Sequence, residues 1–205
     1  MGQVETRDPG VDYAIGSGLM LLAAVLSGAL MAFLLSSMVG RTYVTFLMPF
    51  LAGWAIGAIV GLVARGFHVR SAAPVVATAL LGAFVAYGAF HLIVYTDVLD
   101  QVALTVAVGL DGGSPEEVAS AAFVQQQFEI ATARDGFWAY LDYTATTNDG
   151  VMSPLGILAK GGIEYSTALF FLVGEAVICM GASVGMALFR ARQPKKARKS
   201  VEGAA

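Results

Sequence analysis

Within the apolar stretch ALFFLVGEAVICMGASVGMALF, residues 168–189, stands a single carboxylic acid, Glu175. A charge in a bilayer costs between about 3 and more than 10 kcal/mol depending on how much water reaches it, so such a residue faces the bundle interior and is neutral or paired. If the stretch carrying Glu175 runs antiparallel to the apolar stretch before it in the chain, Glu175 falls level with Tyr87, and the phenol is a plausible partner. His91 lies one turn nearer the outside on the same face, in YGAFHLIVYTDVLD, which ends on Asp97 and Asp100. Two chemistries fit these residues. One is a proton- or cation-carrying site built on Glu175, Tyr87 and His91. The other is a carboxyl hydrogen-bonded to a neighbouring helix, with His91 an interfacial imidazole bonded to a carbonyl or headgroup. The bonded reading is preferred, because a relay would place several ionisable groups along the span and only one is present.

Other chemistries find little to build on. His68 and His91 fall on opposite sides of the membrane in the topology below, and no histidine or cysteine pair has ligand spacing, so no metal site and no cofactor is expected within one chain. The single Cys179 excludes an internal disulfide. GAIVGLVARG and GLDGGS contain glycines without the Lys-Ser/Thr ending of a phosphate-binding loop, and no serine sits in a nucleophile elbow.

The elements that must position Glu175 follow from composition. Of 205 residues, 57% are hydrophobic and 13% charged, against about 25% charged in ordinary soluble domains. Four runs are long enough to cross a hydrocarbon core of about 30 Å as helices: Tyr13–Met38, Tyr43–Ala64, Ala72–Tyr95 and Ser166–Phe189. The segment ahead of the first run is more acidic than basic and the run is too long for a signal peptide, so it reads as a retained anchor. The opening MGQVET also fits a myristoylation pattern, which four spans would make redundant.

Orientation follows from Lys and Arg. The tail RARQPKKARKS holds Arg190, Arg192, Lys195, Lys196, Arg198 and Lys199, and the link between spans two and three holds Arg65 and Arg70. Both termini are therefore expected in the cytoplasm, with the tail on anionic lipid headgroups. Residues 96–165 would face outside, and they carry ten acidic residues against Arg134 and Lys160. The organisation expected is a cytoplasmic segment 1–12, spans one to three within 13–95, an outer segment 96–165, a fourth span 166–189 and a basic tail 190–205. A short basic tail without aromatics, beside a membrane, gives no support to nucleic-acid binding.

Small residues recur on every span. Gly53, Gly57 and Gly61 stand four apart on the second, a groove that lets another helix approach closely. Its partner is expected within the chain, with the first span in view and a second copy as the alternative. Gly82 continues the pattern on the third span and Gly174, Gly181 and Gly185 on the fourth, which predicts a tight bundle. In the outer segment, Ser114 as N-cap, Pro115 at the first helical position and Glu116 and Glu117 behind it predict a helix start. Its apolar side, including Val118, Ala122 and Phe128, should dock on protein, since its polar side is acidic. VLDQVALTVAVGL either prolongs the third span or forms a separate helix. Trp138, Tyr140, Tyr143 and the threonines after them have strand character and precede the turn signal NDG, so a short hairpin or extended passage is expected, or an aromatic belt. The fold class is an all-α membrane protein: four transmembrane helices in a tight bundle, with an extramembrane segment holding an amphipathic helix and this hairpin.

Taken together, LAGWAIGAIVGLVARGFHVRSAAPVVATALLGAFVAYGAF resembles the paired glycine-rich spans, joined by a short basic turn, of small multi-span bacterial inner-membrane proteins of uncharacterised function. The resemblance covers about half the chain and implies a bacterial inner-membrane location, with neither an activity nor site residues. The function expected is a non-catalytic accessory or assembly subunit of a larger membrane complex, partnered by lipids and other membrane-protein subunits. The alternatives are a homo-oligomeric cation or proton channel with a ring of Glu175, and a membrane enzyme subunit with a cofactor supplied by its partner.

Overall fold

The computed structural model describes residues 9–38, 44, 46–69, 71–109, 121–146 and 164–193. These form six helices: α1 (Pro9–Met38), α2 (Leu47–Gly66), α3 (Ala72–Gly109), α4 (Ala121–Thr132), α5 (Gly136–Thr146) and α6 (Tyr165–Arg192). Four apolar stretches, Tyr13–Met38, Leu47–Gly66, Ala72–Asp100 and Tyr165–Arg192, are long enough to cross a membrane. The protein is an all-α, multi-pass membrane bundle.

Side-chain size sorts the residues of the bundle. Its buried positions are largely small, among them Ala24, Ala52, Ala79, Ala83 and Ala86, whereas Phe33, Phe84 and Phe170 stand exposed. Lipid tails are as apolar as leucine, so large side chains gain little by turning inward, and helices associate through close backbone approach.

The principal pairs are α2 with α6 and α1 with α3; α1–α2 and α3–α6 contacts close the bundle, and α2 also touches α3. The α2–α6 pair runs parallel, with Gly53 on the backbone of Cys179, Gly57 on that of Ser183 and Gly61 on that of Ala187. At Gly53 and Gly57 an added Cβ would fall on the facing carbonyl oxygen. The glycine groove of the second span is thus filled from within the chain, but by the fourth span and not the first. Gly82 packs between α1 and α2, where an added Cβ would lie 2.7 Å from Ile56 and 3.0 Å from the Ala24 carbonyl oxygen.

The glycines of α6 behave differently from those of α2. An added Cβ at Gly181 or Gly185 would meet nothing within 4 Å, and at Gly174 only the Phe46 ring. The stripe that α6 buries is Ala168, Glu175, Cys179, Ser183 and Ala187. On a helix of 3.6 residues per turn, Gly181 and Gly185 lie two residues from that stripe and so point away from it. Among the described residues, nothing packs on these two glycines.

Beyond the membrane span, α3 continues as one helix to Gly109, which decides between the two readings of VLDQVALTVAVGL. Phe128 and Val124 of α4 join Val98 and Leu99 of α3 and Ala139 and Tyr140 of α5 in one apolar cluster. α4 therefore docks on the rest of the chain through Val124 and Phe128. Ala122 lies within α4, whereas Val118 and the expected start at Ser114–Glu117 fall outside the described residues.

The hairpin expected after α4 is corrected over 136–146, which is helical; NDG at 148–150 lies outside the described residues. Phe137, Tyr140 and Leu141 stand at i, i+3 and i+4. Phe137 and Tyr140 pack on Tyr95, and Leu141 clusters with Ala168. Burial against neighbours outweighs the strand preference of aromatic residues, which is itself a packing effect. Trp138 remains exposed.

Candidate functional site

The site begins with a helix end. The first amide groups of any helix lack intrahelical acceptors, and a carboxylate near them is favoured by the helix dipole. Phe46, the N-cap of α2, makes no side-chain cap and adopts φ 66° and ψ −38°, a sparsely populated positive-φ conformation that costs a non-glycine residue about 1–3 kcal/mol. Its amide donates instead to Glu175 Oε1 at 3.2 Å, across from α6. Glu175 thus caps α2 from another span. Side chains lean toward the N-terminus of their own helix, and this brings the carboxyl back to the level of the α2 start.

The other carboxyl oxygen, Oε2, lies 3.1 Å from the hydroxyl of Tyr87, which also lies 2.9 Å from the Leu172 carbonyl oxygen. The pairing of Glu175 with Tyr87 read from the sequence is present. Glu175 is 2% exposed, and its side chain joins α2, α3 and α6. Two turns further along α6, Ser183 Oγ donates to the Ala79 carbonyl at 3.0 Å and ties α6 to α3 again. The Phe46 ring lies 5.6 Å from that of Phe171, holding the turn against α6.

The His91 ring reaches this pair through aromatic packing. Its ring stands edge-on to Tyr87, centroids 4.4 Å apart, and packs against Phe90 and Phe137 at 4.8 and 6.1 Å. Its Nε2 is buried and has no hydrogen-bond partner among the described residues. Asp97 and Asp100 are exposed. The expected polar path from the outer surface to Glu175 is therefore interrupted at His91 by aromatic packing. Among the described residues there is no group of three potential metal ligands.

Two polar features of the α4–α5 unit had no sequence signal. Arg134 Nε bonds Asp142 Oδ2 at 2.7 Å, and its guanidinium lies 3.7 Å from the centre of the Tyr165 ring at the start of α6. Glu129 accepts from Gln125 Nε2 at 2.9 Å and from the amide of Gly136 at 3.0 Å, so α5 is also capped by a carboxylate from a different helix. Both φ values in this corner, 54° at Ala133 and 54° at Gly136, are left-handed, and glycine meets the second at no steric cost.

The bonds from Gln125 and then Gly136 hold the Glu129 carboxyl below its usual value, whereas burial raises that of Tyr140. A lowered carboxyl pKa contributes stability above its unfolded value, about 4.3, that is lost as pH falls through the folded value. Protection of the first turn of α5 against hydrogen exchange, taken relative to the intrinsic exchange rate at each pH, should therefore fall on acidification below that range. In Glu129→Gln, whose amide oxygen still accepts from Gly136, this dependence should disappear; an unchanged acid response would assign it to another group.

At the opposite end, Arg190 lays its stem over Gly61. Its Nε is buried without a partner among the described residues, so part of this expected headgroup ligand is packed inside. Arg192 is exposed, and Lys195, Lys196, Arg198 and Lys199 fall outside the described residues. The chain matches no known protein family, and neither a curated protein nor a solved structure proved similar to it.

Proposed function

We propose that the protein is a non-catalytic accessory or assembly subunit of a larger complex in a bacterial inner membrane, with both termini cytoplasmic and α4–α5 outside. The observation that supports this reading most directly is the use made of Glu175, the one buried carboxyl among the described residues. Its bonds include one from the start of α2 and one from Tyr87, and it is 2% exposed. A channel built on a ring of this residue needs it on a surface shared between chains. A second observation bears on assembly. α6 stands at the edge of the bundle and turns Gly181 and Gly185 outward, four residues apart, a spacing that permits close approach of another span.

The test is the mass and composition of the native assembly after gentle detergent extraction. Foreign chains in fixed stoichiometry are expected. Gly185→Leu should release them while leaving the melting temperature of the isolated protein close to that of wild type. A homo-oligomer unchanged by Gly185→Leu would remove the accessory reading and direct attention to ion flux.

A further inference from the structure

A cavity of about 580 Å³ opens where the α2–α3 turn meets the last turns of α6. Arg65 and His68 line it from the end of α2 and its turn, Arg192 lines it from α6, and Ser71 and Ala72 contribute the start of α3. No carboxylate is among its described lining residues. Its apolar wall includes the half-buried Leu188 and Ala191. Three basic side chains from different segments thus converge over an apolar floor at one end of a membrane bundle. The first free amides of the 38-residue α3 add positive potential there.

An oxyanion is the complement of this arrangement. Guanidinium groups match phosphate oxygens in a fork that lysine does not reproduce. Basic pockets between spans receive the headgroups of anionic phospholipids, and the apolar wall gives the glycerol and first acyl carbons a surface that a free phosphate would leave unused. We propose that this cavity binds a phosphate group through Arg65 and Arg192, and that its source is the headgroup of an anionic phospholipid. This site is distinct from diffuse attraction of the tail, because it depends on two arginines held at fixed helix ends. It is independent of the assembly reading.

The test uses the full chain in phosphatidylcholine nanodiscs with and without phosphatidylglycerol, followed by native mass spectrometry of retained lipid. Wild type is expected to retain phosphatidylglycerol in preference to phosphatidylcholine, and Arg65→Gln/Arg192→Gln to weaken that retention about tenfold or more. The double lysine variant, which keeps the charge and loses the fork, should fall between. Neutralising Lys195, Lys196, Arg198 and Lys199 to glutamine should leave retention within about twofold. Unchanged retention in the double glutamine variant, or loss only in the tail variant, would overturn the site. Inorganic phosphate that binds as tightly as the lipid and displaces it would overturn the assignment to a headgroup. The cavity variants are read only with an unchanged native mass and melting temperature; Arg65→Gln alone, with its several-fold loss expected, decides the matter if the double variant unfolds.

Discussion

Replacing Gly57 with leucine is expected to force α2 and α6 apart. The Cβ would fall on the carbonyl oxygen of Ser183, and a backbone atom in a helix cannot swing aside as a side chain can. Ordinary overpacking costs about 1–3 kcal/mol. Here the expected loss lies at or above the top of that range, because separating the helices also removes the contacts at Gly53 and Gly61. Cys179, the single cysteine of the chain, is buried beside Gly53 and reports the outcome directly. In wild type it should resist a maleimide in mild detergent, and in Gly57→Leu it should react readily, with a lowered melting temperature. Gly181→Leu is the matched control and should do neither. A Gly57→Leu protein that melts like wild type and protects Cys179 would mean that α2 and α6 do not meet in this register.

Glu175 separates shape from charge. In Glu175→Leu the Phe46 amide loses its acceptor inside the bundle, at about 1–3 kcal/mol for a buried group left unsatisfied, while the Tyr87 hydroxyl keeps the Leu172 carbonyl. The variant should therefore melt well below wild type, with faster hydrogen exchange at the start of α2. Glu175→Gln should stay close to wild type. Its amide oxygen accepts from Phe46, and its NH₂ donates to Tyr87 while the phenol donates to Leu172. A glutamine variant as damaged as the leucine variant would show that the negative charge itself is needed and would favour an ion-carrying role.

The spans were legible because hydropathy over some 20 residues depends on nothing else in the chain. Tyr87 beside Glu175 was legible too, since alternating direction sets which residues share a level. Partners were harder to read. Glycines spaced four apart declare a face and not what fills it, so nothing in the sequence pairs Gly57 with α6. In α6 the sequence offers two small-residue faces, and the one carrying Gly181 and Gly185 is the more conspicuous, although Ala168, Cys179, Ser183 and Ala187 do the packing. The bond from Phe46 to Glu175 had no signature, because it depends on where α2 starts and on a backbone amide that every non-proline residue owns. In α5 the aromatic residues satisfied strand and helix patterns alike, and the choice was made by Tyr95 and Ala168 from elsewhere in the chain.

The cap of α2 also has a timetable. Its donor and acceptor are 129 residues apart, and α6 is made after α1, α2 and α3. At a synthesis rate of about 5–20 residues per second, the start of α2 waits roughly 6–26 s for its carboxyl. During that interval the glycine groove of α2 lies open to whatever shares the membrane with it. A nascent chain halted before Glu175 would therefore hold three inserted helices with one end uncapped and one face uncovered, a target for quality-control proteases that the finished protein no longer presents.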